Sequence, residues 1–295
     1  MKEIVVISGK GGTGKTTITA AIAQHLGSDC IVADCDVDAA DMHLVFSPKH
    51  IEKRKFFSGK EAIINRELCK NCGLCQEKCR FDAIQSLSNY KKVDPFACEG
   101  CGLCAHICPH NAIKMVDRYV GDFFVSAIRT NTNMVHAKLL PGGENSGKLV
   151  AEVKRVSREQ ATAHNKEFII VDGSPGIGCP VISSLSGANY AVLVTEPTKS
   201  ALHDLKRVVQ LLKKFQIRSG CIINKADLNQ DVVKEIHTFI EEENIDYLHT
   251  FNYSRNFINS VKSGLTINEY DPFTTKDKIA EIWEIIKNKI ESRSL

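Results

Sequence analysis

Gly9-Lys10-Gly11-Gly12-Thr13-Gly14-Lys15-Thr16 is the stretch that decides the fold of this chain. It follows a short apolar run, Ile4-Val5-Val6-Ile7, and precedes a segment with helical apolar spacing at Ile18, Ile22 and Leu26. The run reads as a buried parallel strand and the segment as a helix. A glycine-rich turn between strand and helix exposes backbone N–H groups, and the helix N-terminus adds a field that favours phosphate. Lys15 is placed to reach the β- and γ-phosphates of a nucleotide, and the Thr16 hydroxyl to bind Mg2+. Gly9 to Thr17 are therefore the expected phosphate cradle: Gly9, Lys10, Gly11, Gly12, Thr13, Gly14, Lys15, Thr16 and Thr17.

Outward from this loop, apolar runs alternate with amphipathic segments. Ile31 to Asp34, Phe168 to Asp172, Tyr190 to Val194 and Cys221 to Asn224 read as further strands. Leu202, Leu205, Val208, Val209, Leu212 and Phe215 mark one helix, Val232, Val233, Ile236 and Ile240 another. Glu144 to Ala163 is expected to be a helix leading into the Phe168 strand. The alternation predicts an α/β fold with a mostly parallel sheet and helices on both faces.

A cysteine-rich segment interrupts the alternation. Cys69, Cys72, Cys75 and Cys79 read C-x2-C-x2-C-x3-C, and Cys98, Cys101, Cys104 and Cys108 repeat the spacing 29 residues later, followed by Pro109. The repeat extends to Ala83-Ile84 and Ala112-Ile113, which points to duplication of one half. This is the bacterial-type pattern for two [4Fe–4S] clusters, in which the fourth cysteine of each run serves the other cluster. The expected sets are Cys69, Cys72, Cys75 and Cys108, and Cys98, Cys101, Cys104 and Cys79. Zinc is the rival ligand, but zinc ribbons use pairs of C-x2-C rather than two triplets each followed by a fourth cysteine. The expected organisation is an inserted α+β two-cluster ferredoxin domain at 57–118 within a discontinuous P-loop domain at 1–56 and 119–295. Arg80 stands where proline follows the other run, placing a cation beside that cluster.

The bulk composition agrees with a globular protein. The chain has 295 residues, 43% hydrophobic and 25% charged, with a formal net charge of +3. That charge is too small to argue for nucleic acid or an anionic membrane. No run approaches the length of a membrane span, and the thiols suit a reducing, cytoplasmic compartment. Cys30 and Cys221 read as core residues, and Cys35 sits between Asp34 and Asp36. The apolar stripe Ile279, Ile282, Trp283, Ile286 and Ile290 reads as a docked helix, because Glu281, Glu284 and Glu291 make it unlike a membrane-surface helix.

Lys10, directly after the first glycine, makes the loop resemble the deviant P-loop (SIMIBI-type) of the MinD, ParA, Mrp and nitrogenase iron protein superfamily. In that family this lysine crosses a dimer interface to the partner's nucleotide. Asp34-Cys35-Asp36-Val37-Asp38 resembles the family's first switch, implying Asp36 as the carboxylate that orients the attacking water and stands near Mg2+. Asp172-Gly173-Ser174-Pro175-Gly176 resembles the second switch, with Asp172 on the Mg2+ side. Thr195 to Thr198 and Asn224 to Asp227 match later family positions. Asn224-Lys225-Ala226-Asp227 also has the N-K-x-D form that reads guanine in small GTPases, but the resemblance implies that Asn224 and Lys225 serve ATP. Cys179 lies seven residues after Asp172, where the nitrogenase iron protein has a cluster ligand. Its companion glycine-rich stretch here, Pro141 to Gly147, holds no cysteine, so Cys179 is read as structural.

The resemblance implies an ATPase that forms a nucleotide-dependent homodimer, or a heterodimer with a related ATPase, around ATP and Mg2+. Joined to the cysteine segment, it leads to the expectation of a redox-linked ATPase passing electrons from two [4Fe–4S] clusters to a protein partner. The alternatives are an Mrp-like carrier or assembly ATPase for metalloclusters, and a MinD/ParA-like positioning ATPase. No direct nucleic-acid partner and no membrane association are expected.

Overall fold

The structure, a computed structural model, describes residues 1–143 and 146–292. In chain order the first elements are β1 (Lys2–Ile7), α1 (Lys15–Leu26), β2 (Cys30–Asp34), α2 (Met42–Phe46), β3 (Lys49–Ile64), α3 (Leu74–Glu77), β4 (Ile84–Ser86), β5 (Lys91–Val93), α4 (Leu103–Ile107), β6 (Ile113–Ile128) and β7 (Thr132–Leu139). Then follow α5 (Ser146–Ala163), β8 (Phe168–Asp172), α6 (Cys179–Leu185), β9 (Tyr190–Thr195), α7 (Lys199–Lys214), β10 (Ser219–Ile223), α8 (Gln230–Glu242), β11 (Asp246–Thr250), α9 (Arg255–Lys262), α10 (Ile267–Tyr270) and α11 (Pro272–Glu291).

The larger sheet has the order β11-β10-β9-β1-β8-β2-β7-β6-β3. β1 pairs in parallel with β8 and β9, β2 with β8 and β7, and β10 with β9 and β11. β1, β2, β8 and β9 are buried on both faces, which is why they read as apolar runs rather than alternations. In register, Asp34 lies opposite Asp172 and Val6 opposite Asp172. The carboxyl ends of three adjacent strands thus meet where the phosphate loop begins, the usual ligand end of a parallel sheet.

The core beneath is built from Ile4, Val6, Ile18, Ile22, Ile170 and Val192 together with α11. Ile279, Ile282, Trp283, Ile286 and Ile290 are all buried, and the Trp283 ring meets Phe168 edge-on at 4.8 Å. The stripe is a packed core face. Among the described residues no helix is long and apolar enough to cross a membrane. Cys30, Cys35 and Cys221 are buried, whereas Cys179 is exposed at the start of α6. α5 begins at Ser146, and Glu144 and Asn145 of the expected helix lie outside the described residues.

The chain divides into two compact units, one of Met1–Arg54, Phe123–Lys138 and Ser146–Leu295, the other of Lys55–Asp122 and Leu139–Asn145. The second unit is therefore wider at each end than 57–118 and takes in a piece that starts at the last residue of β7. Within it the duplication shows in the backbone. Asn71 and Gly100, Gly73 and Gly102, and Asp82 and Asn111 are pairs 29 residues apart, and all have positive φ. Gly73 and Gly102 each open a one-turn helix, α3 and α4. β4 and β5 form an antiparallel pair. The unit's core cluster is small: Ala62, Ala83, Cys98 and Ile113, with several further cysteines packed around it.

Candidate functional site

The phosphate loop packs closely against the Asn224 side chain. Gly14 has φ 96°, and a Cβ there would lie 2.5 Å from Asn224 Nδ2, so a side chain is excluded both by conformation and by space. Asn224 donates from Nδ2 to Thr13 O at 2.8 Å, while its Oδ1 accepts from Lys225 N at 2.9 Å. Lys225 Nζ donates to Gly12 O at 2.8 Å. Asn224 and Lys225 therefore brace the loop as well as line the cleft beside it.

Asp172, fully buried, is the hub of the site. Its Oδ1 accepts from Lys15 Nζ at 2.8 Å and Thr19 Oγ1 at 2.9 Å, and its Oδ2 accepts from Thr16 Oγ1 at 2.7 Å. Lys15 also reaches Asp36 at 3.3 Å. Burial pushes the Lys15 pKa down, but Asp172, Asp36 and Asp34 together outweigh it and hold the ammonium above its ordinary range. Burial, only partly offset by Lys15, raises the Asp36 carboxyl. Burial and then the neighbouring Asp172 charge raise Asp34 well above the usual carboxylate range. Asp34 Oδ2 is buried without a hydrogen-bond partner among the described residues. Three carboxylates and one ammonium, with one carboxylate oxygen unsatisfied, fit a site that gains a divalent cation with its nucleotide.

Lys15, Thr16, Thr17, Asp36, Asn224 and Lys225 share a cleft of about 510 Å³ with Gly11, Gly12, Gly14 and Asp41. That volume suits a nucleotide-sized ligand. Its far wall is formed by Tyr253, Ser254, Phe257, Ile258, Val261 and Lys262 at the start of and along α9. Lys10 is not part of the cleft lining. Its Nζ pairs with Glu196 at 2.8 Å and donates to Thr198 Oγ1 at 3.2 Å and Ser200 Oγ at 3.3 Å. Sequence reasoning did not single out Thr19 or the α9 wall. Thr19 was legible in principle, since Lys15 and Thr19 are one helical turn apart on one face.

The matched family model is the CobQ/CobB/MinD/ParA nucleotide-binding domain, over residues 4–267. The chain belongs to this family. An uncharacterized protein of Methanocaldococcus jannaschii, MJ0578, is 34% identical over 229 residues, 77% of this chain and 79% of its own. The chloroplastic septum site-determining protein MinD homolog of Arabidopsis thaliana is 29% identical over 78% of this chain and 56% of its own. Among solved structures, the septum site-determining protein MinD of Pyrococcus horikoshii, in complex with Mg-ADP, superposes with a TM-score of 0.56. That match covers 96% of this chain and 95% of the other, and at 18% identity it establishes the fold.

These relatives correct the expectation of a redox-linked ATPase. The characterised ones are septum site-determining proteins, and nothing in the family's description or in their names refers to electron transfer or iron–sulfur clusters. The MinD/ParA alternative fits them better. The mismatch arises because cysteine spacing reports which ligand a segment suits, not what the protein does with it.

For this family member, the second unit's cysteines group as follows. Cys69, Cys72, Cys75 and Cys108 line one small hollow, together with Lys91. Cys79, Cys98, Cys101 and Cys104 line another of about 280 Å³, which Cys75 also borders. Among the described residues no group of three or more His, Cys, Asp or Glu stands close enough to hold a single metal ion. Arg80 and Lys78 border the larger hollow. Lys91 is buried and donates to Gln76 Oε1 at 2.8 Å and Ser86 Oγ at 2.5 Å.

Proposed function

We propose that the chain is an ATPase of the MinD/ParA type. It binds ATP with Mg2+, pairs around the nucleotide with a second copy or a related subunit, and uses that cycle to position a partner. One observation carries the reading: of the two loop lysines, Lys15 faces the chain's own cleft while Lys10 is turned out of it onto Glu196. Lys15 neutralises charge on the β- and γ-phosphates. Thr16 and Asp172 stand on the Mg2+ side, and Asp36 orients the attacking water. Lys10 supplies its cation to the partner's nucleotide, where charge develops during phosphoryl transfer.

The test is complementation. Lys10→Ala should bind ATP yet hydrolyse it ~10²-fold more slowly, since a transition-state cation is lost. Mixing it with Asp36→Asn restores one complete site per mixed dimer, and activity should partly return. If mixed dimers form and no activity returns, Lys10 does not act in trans.

We further propose that the second unit binds two [4Fe–4S] clusters, on Cys69, Cys72, Cys75 and Cys108 and on Cys98, Cys101, Cys104 and Cys79. The support is the duplicated spacing, the two cysteine-lined hollows and a core cluster too small for a unit of this length to fold unaided. In this reading the clusters are structural, cross-linking the two duplicated halves. Anaerobically purified protein should carry about eight irons per chain, from two four-iron clusters. Stoichiometric zinc with little iron would sink it.

A further inference from the structure

The duplicated halves of the second unit repeat each other's hydrogen bonds. Asn65 N donates to Ala112 O and Asp94 N to Ala83 O, both at 2.7 Å. Asn65 Oδ1 accepts from Glu67 N, and Asp94 Oδ1 from Phe96 N, both at 2.9 Å. Each residue of one set lies 29 positions from its counterpart in the other. The end of β3 therefore stands to the start of β6 as β5 stands to β4. The same offset pairs the walls of the two cysteine hollows: Ile64 with Val93, Ala112 with Ala83, and Ile113 with Ile84.

One trio breaks the match. Lys91 is only 7% exposed and lines the hollow of Cys69, Cys72, Cys75 and Cys108. Its Nζ donates to Gln76 Oε1 at 2.8 Å and to Ser86 Oγ at 2.5 Å, and Ser86 Oγ donates to the same Gln76 oxygen at 2.8 Å. At the 29-residue offset, Lys91, Gln76 and Ser86 correspond to Ala62, Ala105 and Met115, all apolar. Ala62 and Met115 line the other hollow. Both acceptors of the Lys91 ammonium are neutral, and it forms no ion pair among the described residues. A buried ammonium without a counter-charge is costly. The cations beside the other hollow are of another kind. Arg80 and Lys78 are exposed, and Lys78 pairs with Glu77 at 2.8 Å. Solvent and salt screen them.

A [4Fe–4S] core carries fewer positive charges than its four thiolates carry negative, so the whole is an anion. Resting on the cluster reading above, we propose that Lys91 is the buried counter-cation of the cluster on Cys69, Cys72, Cys75 and Cys108. Lys91 is a positioning residue in this role: Gln76, next to Cys75, and Ser86 fix its ammonium at the hollow. Net charge around a cluster sets its reduction potential, and a fixed cation raises it. The two clusters are therefore unequal. The one beside Lys91 is the easier to reduce, and the one beside Ala62 and Met115 the harder.

Redox titration of the anaerobic full chain, followed by electron paramagnetic resonance, tests this. The wild type should show two separate one-electron midpoints. Lys91→Met keeps the length of the side chain and removes its charge. It should lower the higher midpoint alone, by about tenfold or more in the reduction equilibrium, where tenfold is about 59 mV for one electron. Ser86→Ala keeps the charge and should move the same midpoint by less. Should Lys91→Met load incompletely, it should carry about four irons rather than about eight, and Lys91→Arg should restore the rest. Coincident wild-type midpoints would overturn the inference. So would a fully loaded Lys91→Met with neither midpoint lowered, or with both lowered equally, and so would an under-loaded Lys91→Met that Lys91→Arg does not improve on. If anaerobic wild-type protein gives no [4Fe–4S] signal, the cluster reading itself fails, whatever Lys91 does.

Discussion

Thr19→Val removes the hydroxyl that hydrogen-bonds the hub carboxylate. Thr19 is fully buried in α1, with Oγ1 2.9 Å from Asp172 Oδ1 and 2.8 Å from Lys15 O. Valine keeps the β-branched shape, so helix propensity and packing volume change little. A hydrogen bond to a charged group contributes about 1.5–3 kcal/mol. Two facts reduce this. Asp172 retains Lys15 at 2.8 Å and Thr16 at 2.7 Å, and the hydroxyl's one proton is shared between two acceptors. The net loss should be about 1–2 kcal/mol, a factor of roughly 5–30 in the unfolding equilibrium. Urea unfolding of nucleotide-free protein, followed by tryptophan fluorescence, measures it. Trp283 is the chain's single tryptophan and packs in the core of the nucleotide-binding unit, so the signal reports that unit alone. Thr19→Ser keeps the hydroxyl and should retain most of the stability. The reasoning is refuted if Thr19→Val unfolds within about 0.3 kcal/mol of wild type, or if Thr19→Ser loses as much as Thr19→Val.

Three further outcomes are expected. Burial lowers the His136 pKa from 6.5 to about 4, so the unfolded chain takes up this proton first and stability should fall as pH drops from about 6.5 towards 4. His136→Gln should remove as much as about 3 kcal/mol of that acid loss; an unchanged pH profile in urea unfolding would contradict it. Because burial raises the Asp36 and Asp34 carboxyls, a cation arriving with nucleotide should drive protons off them, so Mg·ATP affinity should improve with rising pH across the mildly acidic range. Calorimetry in buffers of different ionisation heat should then give different apparent enthalpies, and identical heats would refute proton release. Cys75→Ala should cut iron from about eight to about four per chain, and an unchanged content would remove Cys75 from the ligand set.

The strands that flank the phosphate loop were legible because a strand buried on both faces must be apolar nearly throughout, as Ile4 to Ile7 and Phe168 to Val171 are. β3 escaped notice for the converse reason: Lys49 to Lys55 carries charge or polarity at nearly every position and is largely exposed. β11 was too polar to stand out, and with it went the α9 wall that follows. The loop, Asp36 and Asp172 could be placed because each sits within a few residues of a recognisable pattern. Tyr253 could not, since it joins the site only through the sheet order that sets β11 two strands from β9.

Lys10 shows why a sequence motif and a resting structure can point in different directions without conflict. Its ion pair with Glu196 is about one-third exposed on the lysine side, and Lys225 competes for the same carboxylate at 2.7 Å. With solvent reaching the lysine, such a pair contributes less than a fully desolvated one. Glu196 keeps a cation when Lys10 leaves, so the departure strands no buried charge and avoids the large penalty of breaking a desolvated pair. A charge-assisted bond to a phosphate oxygen is stronger than what is given up. Lys15 is the opposite case: it is buried, bound to Asp172 at 2.8 Å, and its removal would leave that carboxylate short of its cation. In the proposed dimer the two lysines, five residues apart, would divide the work by environment, Lys15 fixed in the cleft and Lys10 released to a neighbour's phosphate.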